Sequence, residues 1–201
     1  HHQTMILTAI GNTLLYQGRP AEAAVYLHTV VALWRQMDDD LELANAIGSW
    51  DGSAYTGVAG LVDSGRGSAG NALWDGATGI VTTDTRAVNN SDLCSIGVAT
   101  ASQVKNIAAT ATATFGGQTV LGSDTLVMFT WGGDATLDGK INIDDYGRID
   151  GNVGQSGSVF GWFNGDFNYD GKINIDDYGI IDGNINRQGA AFPAGSGAAA
   201  L

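Results

Sequence analysis

The sequence predicts a mixed α+β chain, and three observations carry that prediction. Apolar residues recur at helical spacing over residues 3–36. Short β-branched runs separated by Gly116-Gly117 and Gly122-Ser123 fill residues 112–131. A block of twenty residues near the C-terminus is duplicated almost unchanged: GDATLDGKINIDDYGRIDGN at 133–152 and GDFNYDGKINIDDYGIIDGN at 165–184, which differ at four positions and lie 32 residues apart. A duplication of this kind means one structural unit built twice and packed on itself. The expected architecture is an N-terminal helical hairpin (1–49), a small β-rich Gly/Ser/Thr-rich region (50–132), a pair of loop–helix units (133–188) and a mobile tail (189–201).

In chain order, Ile6, Ala9, Ile10, Leu14 and Leu15 line one face of a first helix. Gly18 breaks it, and Pro20 suits the first turn of a second helix whose apolar face runs through Ala23, Ala24, Leu27, Val30, Val31 and Trp34. Asp38-Asp39-Asp40 would start a third short helix, because carboxylates favour a helix N-terminus. Val58, Leu61 and Val62 predict a short helix ending at Gly65. Thr112–Phe115, Gln118–Leu121 and Thr125–Trp131 read as strands, the last of them buried and running straight into the first repeat.

Composition excludes several functions. The chain has 201 residues, 9 Lys+Arg and 21 Asp+Glu, for a formal net charge of −12. Without a basic face it offers nothing to displace counterions from a nucleic acid, and an anionic membrane surface is disfavoured for the same reason. No apolar run approaches the roughly 20 residues that a membrane helix needs. The lone Cys94 rules out an intrachain disulfide and a cysteine-based zinc site. The chain starts at His1 without a basic-then-apolar leader, so a fragment or processed product is expected. Half of the acidic excess sits in 133–188, which holds 10 acidic and 4 basic residues.

Each repeat contains Asp-x-(Asn/Thr)-x-Asp-Gly-Lys-Ile-Asn-x-x-Asp, spanning Asp134–Asp145 and Asp166–Asp177. A hard cation such as calcium takes six to eight oxygens at about 2.3–2.6 Å, and a twelve-residue loop supplies them from positions 1, 3, 5, 7, 9 and 12, with glycine at 6 for the sharp turn. In the first loop those positions hold Asp134, Thr136, Asp138, the Lys140 carbonyl, Asn142 and Asp145. In the second they hold Asp166, Asn168, Asp170, the Lys172 carbonyl, Asn174 and Asp177. Gly139 and Gly171 stand at position 6. Two calcium ions are therefore expected. The plain alternative is an acidic, glycine-rich turn that binds nothing; two near-identical loops with an oxygen donor at every ligand position argue against it. Ile141 and Ile173, at position 8, either pair the two loops or plug a core. Asp144-Asp145-Tyr146 and Asp176-Asp177-Tyr178 begin the helices. Ile143, Tyr146 and Ile149 are expected on one face, matched by Ile175, Tyr178 and Ile181, with Gly151 and Gly183 capping the ends. So short a helix must pack on its twin.

With these residues the chain resembles the type I dockerin family over about 133–188. Two features differ from an EF-hand: Asp replaces Glu at position 12, and the LVMFTWGG run before the first loop reads as a strand rather than an entering helix. The resemblance implies a calcium-dependent fold, an extracellular or cell-surface setting, and protein–protein attachment of a cohesin-type partner through a helix face. Many dockerins are appended to polysaccharide-degrading enzymes, but the sequence itself offers no catalytic constellation, so no enzymatic activity is expected of this chain. Ser-Thr is common just before the last ligand in the family; here Ile143-Asp144 and Ile175-Asp176 stand there. The lead-in GQTV…LVMFTW and the WFNGDFNYDGKINIDDYG run look like the C-terminal regions of large bacterial surface proteins, particularly those of planctomycetes. Two other roles stay open: a structural C-terminal cap without a cohesin partner, and the non-catalytic tail of a secreted polysaccharide-degrading enzyme.

Other motifs carry less. IGNTLLYQGRPAEAAVYLHTVVAL at 10–33 resembles one tetratricopeptide repeat through Gly11, Gly18, Ala23 and Tyr26, but about three repeats are needed for a stable array. Gly65-x-Gly67-x-x-Gly70 matches a dinucleotide fingerprint but follows a helix rather than a strand, so a loop is expected. His1 and His2 read as a flexible end, His28 as a helix residue, and Cys94 as an idle or buried thiol. Trp50, Trp74, Trp131 and Trp162 are expected as core and loop plugs rather than a sugar-stacking surface.

Overall fold

The computed structural model describes residues 47–67, 74–76, 78–88, 92–193 and 199–200. The helices expected over 3–36, the helix start at Asp38-Asp39-Asp40, the three histidines and Gly70 lie outside the described residues. What is described is mixed α+β. Helices α1 (Gly57–Arg66) and α2 (Thr85–Val88) precede strand β1 (Cys94–Thr100) and helix α3 (Ala101–Lys105). Strands β2 (Thr112–Phe115), β3 (Gln118–Leu121) and β4 (Thr125–Trp131) follow, then helices α4 (Ile143–Asn152) and α5 (Ile175–Ile185) and the short strand β5 (Ala199–Ala200).

β2 and β3 form a hairpin whose two turn residues, Gly116 and Gly117, have φ of 61° and 76°. That is the left-handed pair that a two-residue hairpin turn demands. An added Cβ at Gly117 would meet nothing within 4 Å, so only the backbone resists substitution. Gly117→Ala is expected to cost about 1 kcal/mol in urea denaturation; an unchanged midpoint would rule this turn out.

Strand β1 was not expected from the sequence. It pairs antiparallel along all of β4, from Cys94 opposite Trp131 to Thr100 opposite Thr125. Every residue from Cys94 to Ala99 is buried, so no polar alternation marks it. Gly97 leaves room for a neighbour: a Cβ there would fall 2.5 Å from Trp162 Nε1 and 2.6 Å from Leu137 Cδ2. Thr100 ends β1 and caps α3. Its hydroxyl accepts from Gln103 N at 3.2 Å, and its own N–H donates to Gln103 Oε1 at 2.8 Å.

One apolar core joins the β segment to the repeats, running from Tyr55 through Ile96, Met128 and Trp162 to Ile181. The sequence boundary at 132/133 thus falls between residues that share a core. Trp162 stands at its centre, stacked on Tyr169 with centroids 5.7 Å apart and edge-on to Phe167 at 5.2 Å. Its Nε1 donates to the Asp134 carbonyl at 2.7 Å. Tyr169 donates to the Ile96 carbonyl of β1 at 2.8 Å. Trp74 and Trp131 are buried and Trp50 is half-buried, so the four described tryptophans act as packing elements.

Several local expectations change. α1 runs through Arg66 instead of stopping at Gly65, and Gly67 (φ 91°) follows it. Gly151 and Gly183 do not cap: both lie inside their helices, where a Cβ would touch nothing. α5 continues because the buried Asn184 amide donates to the carbonyls of Asp92 (2.7 Å) and Gly132 (3.0 Å). Ile149 and Ile181 are buried as expected, whereas Ile143 and Ile175 are 79% and 78% exposed. The last two sit at the first helical position, just after the capping Asn, and point away from the core face. Each helix packs against the start of the other repeat. A Cβ at Gly133 would lie 2.9 Å from Ile181, and one at Gly165 the same distance from Ile149. Tyr146 donates to Asp182 at 2.7 Å, and Tyr178 donates to Asp150.

Residues 189–193, expected as a mobile tail, lie against the domain. Phe192 N donates to the Gly139 carbonyl at 3.0 Å, and its ring packs on Trp131 (4.9 Å) and Phe129 (5.5 Å). Ala199–Ala200 adds a short strand to the free edge of β4, with Ala200 opposite Leu126. An aromatic residue with somewhere to bury outweighs the lack of periodicity that marked the segment as loose.

Candidate metal centres

The two loops fold alike, and local sequence explains why. Gly139 (φ 89°) and Gly171 (φ 76°) take the left-handed turn that brings the chain back over the first aspartate. The N–H groups at positions 5 and 6 then donate to that carboxylate: Asp138 N to Asp134 Oδ1 at 3.2 Å and Gly139 N to Oδ2 at 2.9 Å. In the second loop Asp170 N donates to Asp166 Oδ1 at 3.1 Å and Gly171 N to Oδ2 at 3.0 Å. Leu137 and Tyr169, at position 4, also take positive φ (54° and 62°), held there by burial of their side chains.

At the other end, the capping box that starts each helix uses the last candidate ligand. Asn142 caps α4 and Asn174 caps α5, their side chains accepting from Asp144 N (2.8 Å) and Asp176 N (2.7 Å). Asn142 N and Asn174 N donate to Oδ2 of Asp145 and Asp177, each at 2.9 Å. Oδ1 of Asp145 accepts from Thr136 N and Oγ1, both at 2.9 Å. Oδ1 of Asp177 accepts from Phe167 N (2.8 Å) and Asn168 N (3.3 Å). Positions 3, 9 and 12 are thereby tied together in both loops, while position 1 is held by positions 5 and 6.

The position-5 aspartates, Asp138 and Asp170, are exposed at the mouth of each loop. They accept from Lys140 N (2.8 Å) and Lys172 N (2.9 Å), and Asn142 Nδ2 reaches Asp138 at 3.1 Å. The Lys140 ammonium points away, donating to the Gly189 carbonyl at 2.9 Å. Ile141 and Ile173 do not bridge to each other. Both are buried, and their N–H groups donate instead to Gln188 Oε1 (2.8 Å) and Ser156 Oγ (2.9 Å). Of the two alternatives open for these residues, they plug the core.

Electrostatics single out four of the candidate ligands. Asp134, Asp145, Asp166 and Asp177 are each 0% exposed. Among the described residues, the ion pairs of Arg66 with Asp92 and of Arg86 with Asp84 leave these four without a cationic partner. Burial is the main cause of their raised pKa values, about 7 for Asp134 and Asp166 and about 6 for Asp145 and Asp177. The carboxylates within each loop push the values further up, and the hydrogen bonds described above oppose the rise. Among the described residues no three His, Cys, Asp or Glu side chains gather into a cluster by themselves. The donor sets are instead mixed: carboxylate, amide, hydroxyl and backbone oxygens, with no nitrogen or sulfur ligand. That chemistry fits a hard divalent cation and not a soft one.

Two residues outside the loops complete them, and the sequence did not mark either one. Thr130, at the end of β4, donates its hydroxyl to Asp134 Oδ2. Tyr55, from the turn before α1, donates its hydroxyl to Asp166 Oδ2. No spacing rule could have linked Tyr55 to a residue 111 positions away. A comparison with protein-family models, with curated proteins and with solved structures finds no match.

Proposed function

We propose that the chain is a calcium-binding, dockerin-like module of an extracellular or cell-surface protein, in which two ions fasten a loop–helix pair that serves protein–protein attachment. The observation that carries this reading is the set of four fully buried aspartates, in two matched oxygen-rich loops, with no cationic side chain among the described residues paired to them. Burying an unpaired carboxylate costs several kcal/mol, and one divalent ion per loop would offset that for two carboxylates at once. Asp134, Thr136, Asp138, Lys140 O, Asn142 and Asp145 would hold the first ion; Asp166, Asn168, Asp170, Lys172 O, Asn174 and Asp177 would hold the second. The ion supplies charge neutralisation and couples binding to folding. The exposed faces of α4 and α5, bearing Ile143 and Ile175, are the surfaces offered to a cohesin-like or other surface partner.

A second reading, a structural cap that binds no partner, is favoured by the shared core. The first ligands of both loops are held by Thr130 and Tyr55, which lie outside the repeats. Titrating the chelator-stripped full chain with calcium in a calorimeter is expected to show two ions bound per chain, and the absence of binding would end both readings. Affinity capture in calcium then separates them: recovery of a protein that is lost when Ile143 and Ile175 are changed to Asp supports attachment, and no recovery supports the cap.

A further inference from the structure

We propose that Tyr55 is a positioning residue for the second cation site, so that ion binding in loop 166–177 and seating of residues 47–66 on that loop are one coupled event. The inference rests on the calcium reading above. Three contacts from this segment fall on the loop. The Tyr55 hydroxyl accepts from Gly161 N at 2.8 Å, which turns its own proton onto Asp166, at position 1. Arg66 donates to the carbonyl of Asn168, at position 3, at 3.0 Å. The Trp50 ring covers Gly171, at position 6, so closely that a Cβ there would fall 2.3 Å from its Cε2.

The first loop has the same sequence pattern and different supports. Thr130 from β4 donates to Asp134, and the backbone of Phe192 covers Gly139. Two near-identical loops are thus clasped by different stretches of chain, and among the described residues only the second takes side-chain hydrogen bonds from more than a hundred residues away. A donor that orients a ligating carboxylate typically contributes 10–100-fold in metal affinity. Coupling is reciprocal: whatever seating the segment adds to ion affinity, the ion returns as a tighter hold on the segment.

The test uses the full chain with Tyr55→Phe, Thr130→Val and Thr130→Ser, titrated with calcium alone. The amide resonances of Gly139 and Gly171, whose N–H groups donate to Asp134 and Asp166, report the two loops separately. Tyr55→Phe is expected to weaken calcium at the second loop by about 10-fold or more and to leave the first within about 2-fold. Thr130→Val does the reverse, and Thr130→Ser, which keeps the hydroxyl, restores the first loop. Calcium should also slow hydrogen exchange at Thr56 N and Ala59 N, which bond to Ser49 O and Ile47 O in the segment, and should do so far less in Tyr55→Phe. Equal weakening of both loops, or no change in either while the wild type still binds two ions, overturns this coupling and leaves the calcium reading intact. A wild type that binds no calcium overturns both.

Discussion

Stripping calcium from the full chain near neutral pH is expected to lower its melting temperature by about 10–20 °C. The figure follows from about 2.7 kcal/mol per ion held at one hundred times its Kd, for two ions, at about 2–4 °C per kcal/mol in a chain of this size. The pH dependence should also change sign. In chelator, Asp134 and Asp166 titrate near about 7 and Asp145 and Asp177 near about 6, all above their unfolded value of 3.8. Between these values and 3.8 the folded chain binds more protons than the unfolded one, so its stability falls as pH rises. The contribution of these groups is fully present below the unfolded value and lost as pH climbs through about 6 and then about 7. With calcium present the ion competes with those protons, and stability should rise over the same window. Thermal scans across it, with and without chelator, check both statements. Superimposable curves would mean that the buried carboxylates are balanced by something other than an ion.

Trp162→Ala is expected to remove about 3–5 kcal/mol of stability, the usual range for truncating a fully buried large aromatic. Trp162 is 1% exposed and packs against Phe167 and Tyr169 of the second loop. It also lies over Gly97 of β1 and donates to the Asp134 carbonyl of the first loop. Its loss opens a cavity where the sheet and both loops meet, so urea denaturation should show one cooperative transition moved to lower midpoint. A loss under about 1 kcal/mol, or a second transition assigned to an independent repeat pair, would show that the sheet and the repeats do not depend on a common core.

What could be read in the residues depended on how local the cause was. Strands β2, β3 and β4 have the bounds the sequence predicts, because the Gly116-Gly117 and Gly122-Ser123 turns and the β-branched runs act within a few residues. The capped starts of α4 and α5 were equally legible, with Asn142 and Asn174 three positions before Asp145 and Asp177. Strand β1 was missed: Ser95, Gly97 and Ala99 are poor strand formers, and only pairing with β4 and the pressure of Trp162 make sense of them. The Thr100–Gln103 capping box, by contrast, is a local marker that a short stretch of sequence carries by itself. Gly151 and Gly183 misled because glycine ends a helix only where the chain needs a left-handed residue, and at both positions it does not.

The amino-acid sequence alone determined the duplicated loop, its oxygen donors and the turn glycines, since ligand spacing and backbone handedness are set within twelve consecutive residues. The tertiary structure alone decided that the aspartates at positions 1 and 12 are buried, that Ile143 and Ile175 face outward, and that Tyr55, Thr130 and Phe192 close on the loops. Burial and long-range hydrogen bonds depend on which surfaces meet once the chain is packed, and no repeat or periodicity encodes that meeting.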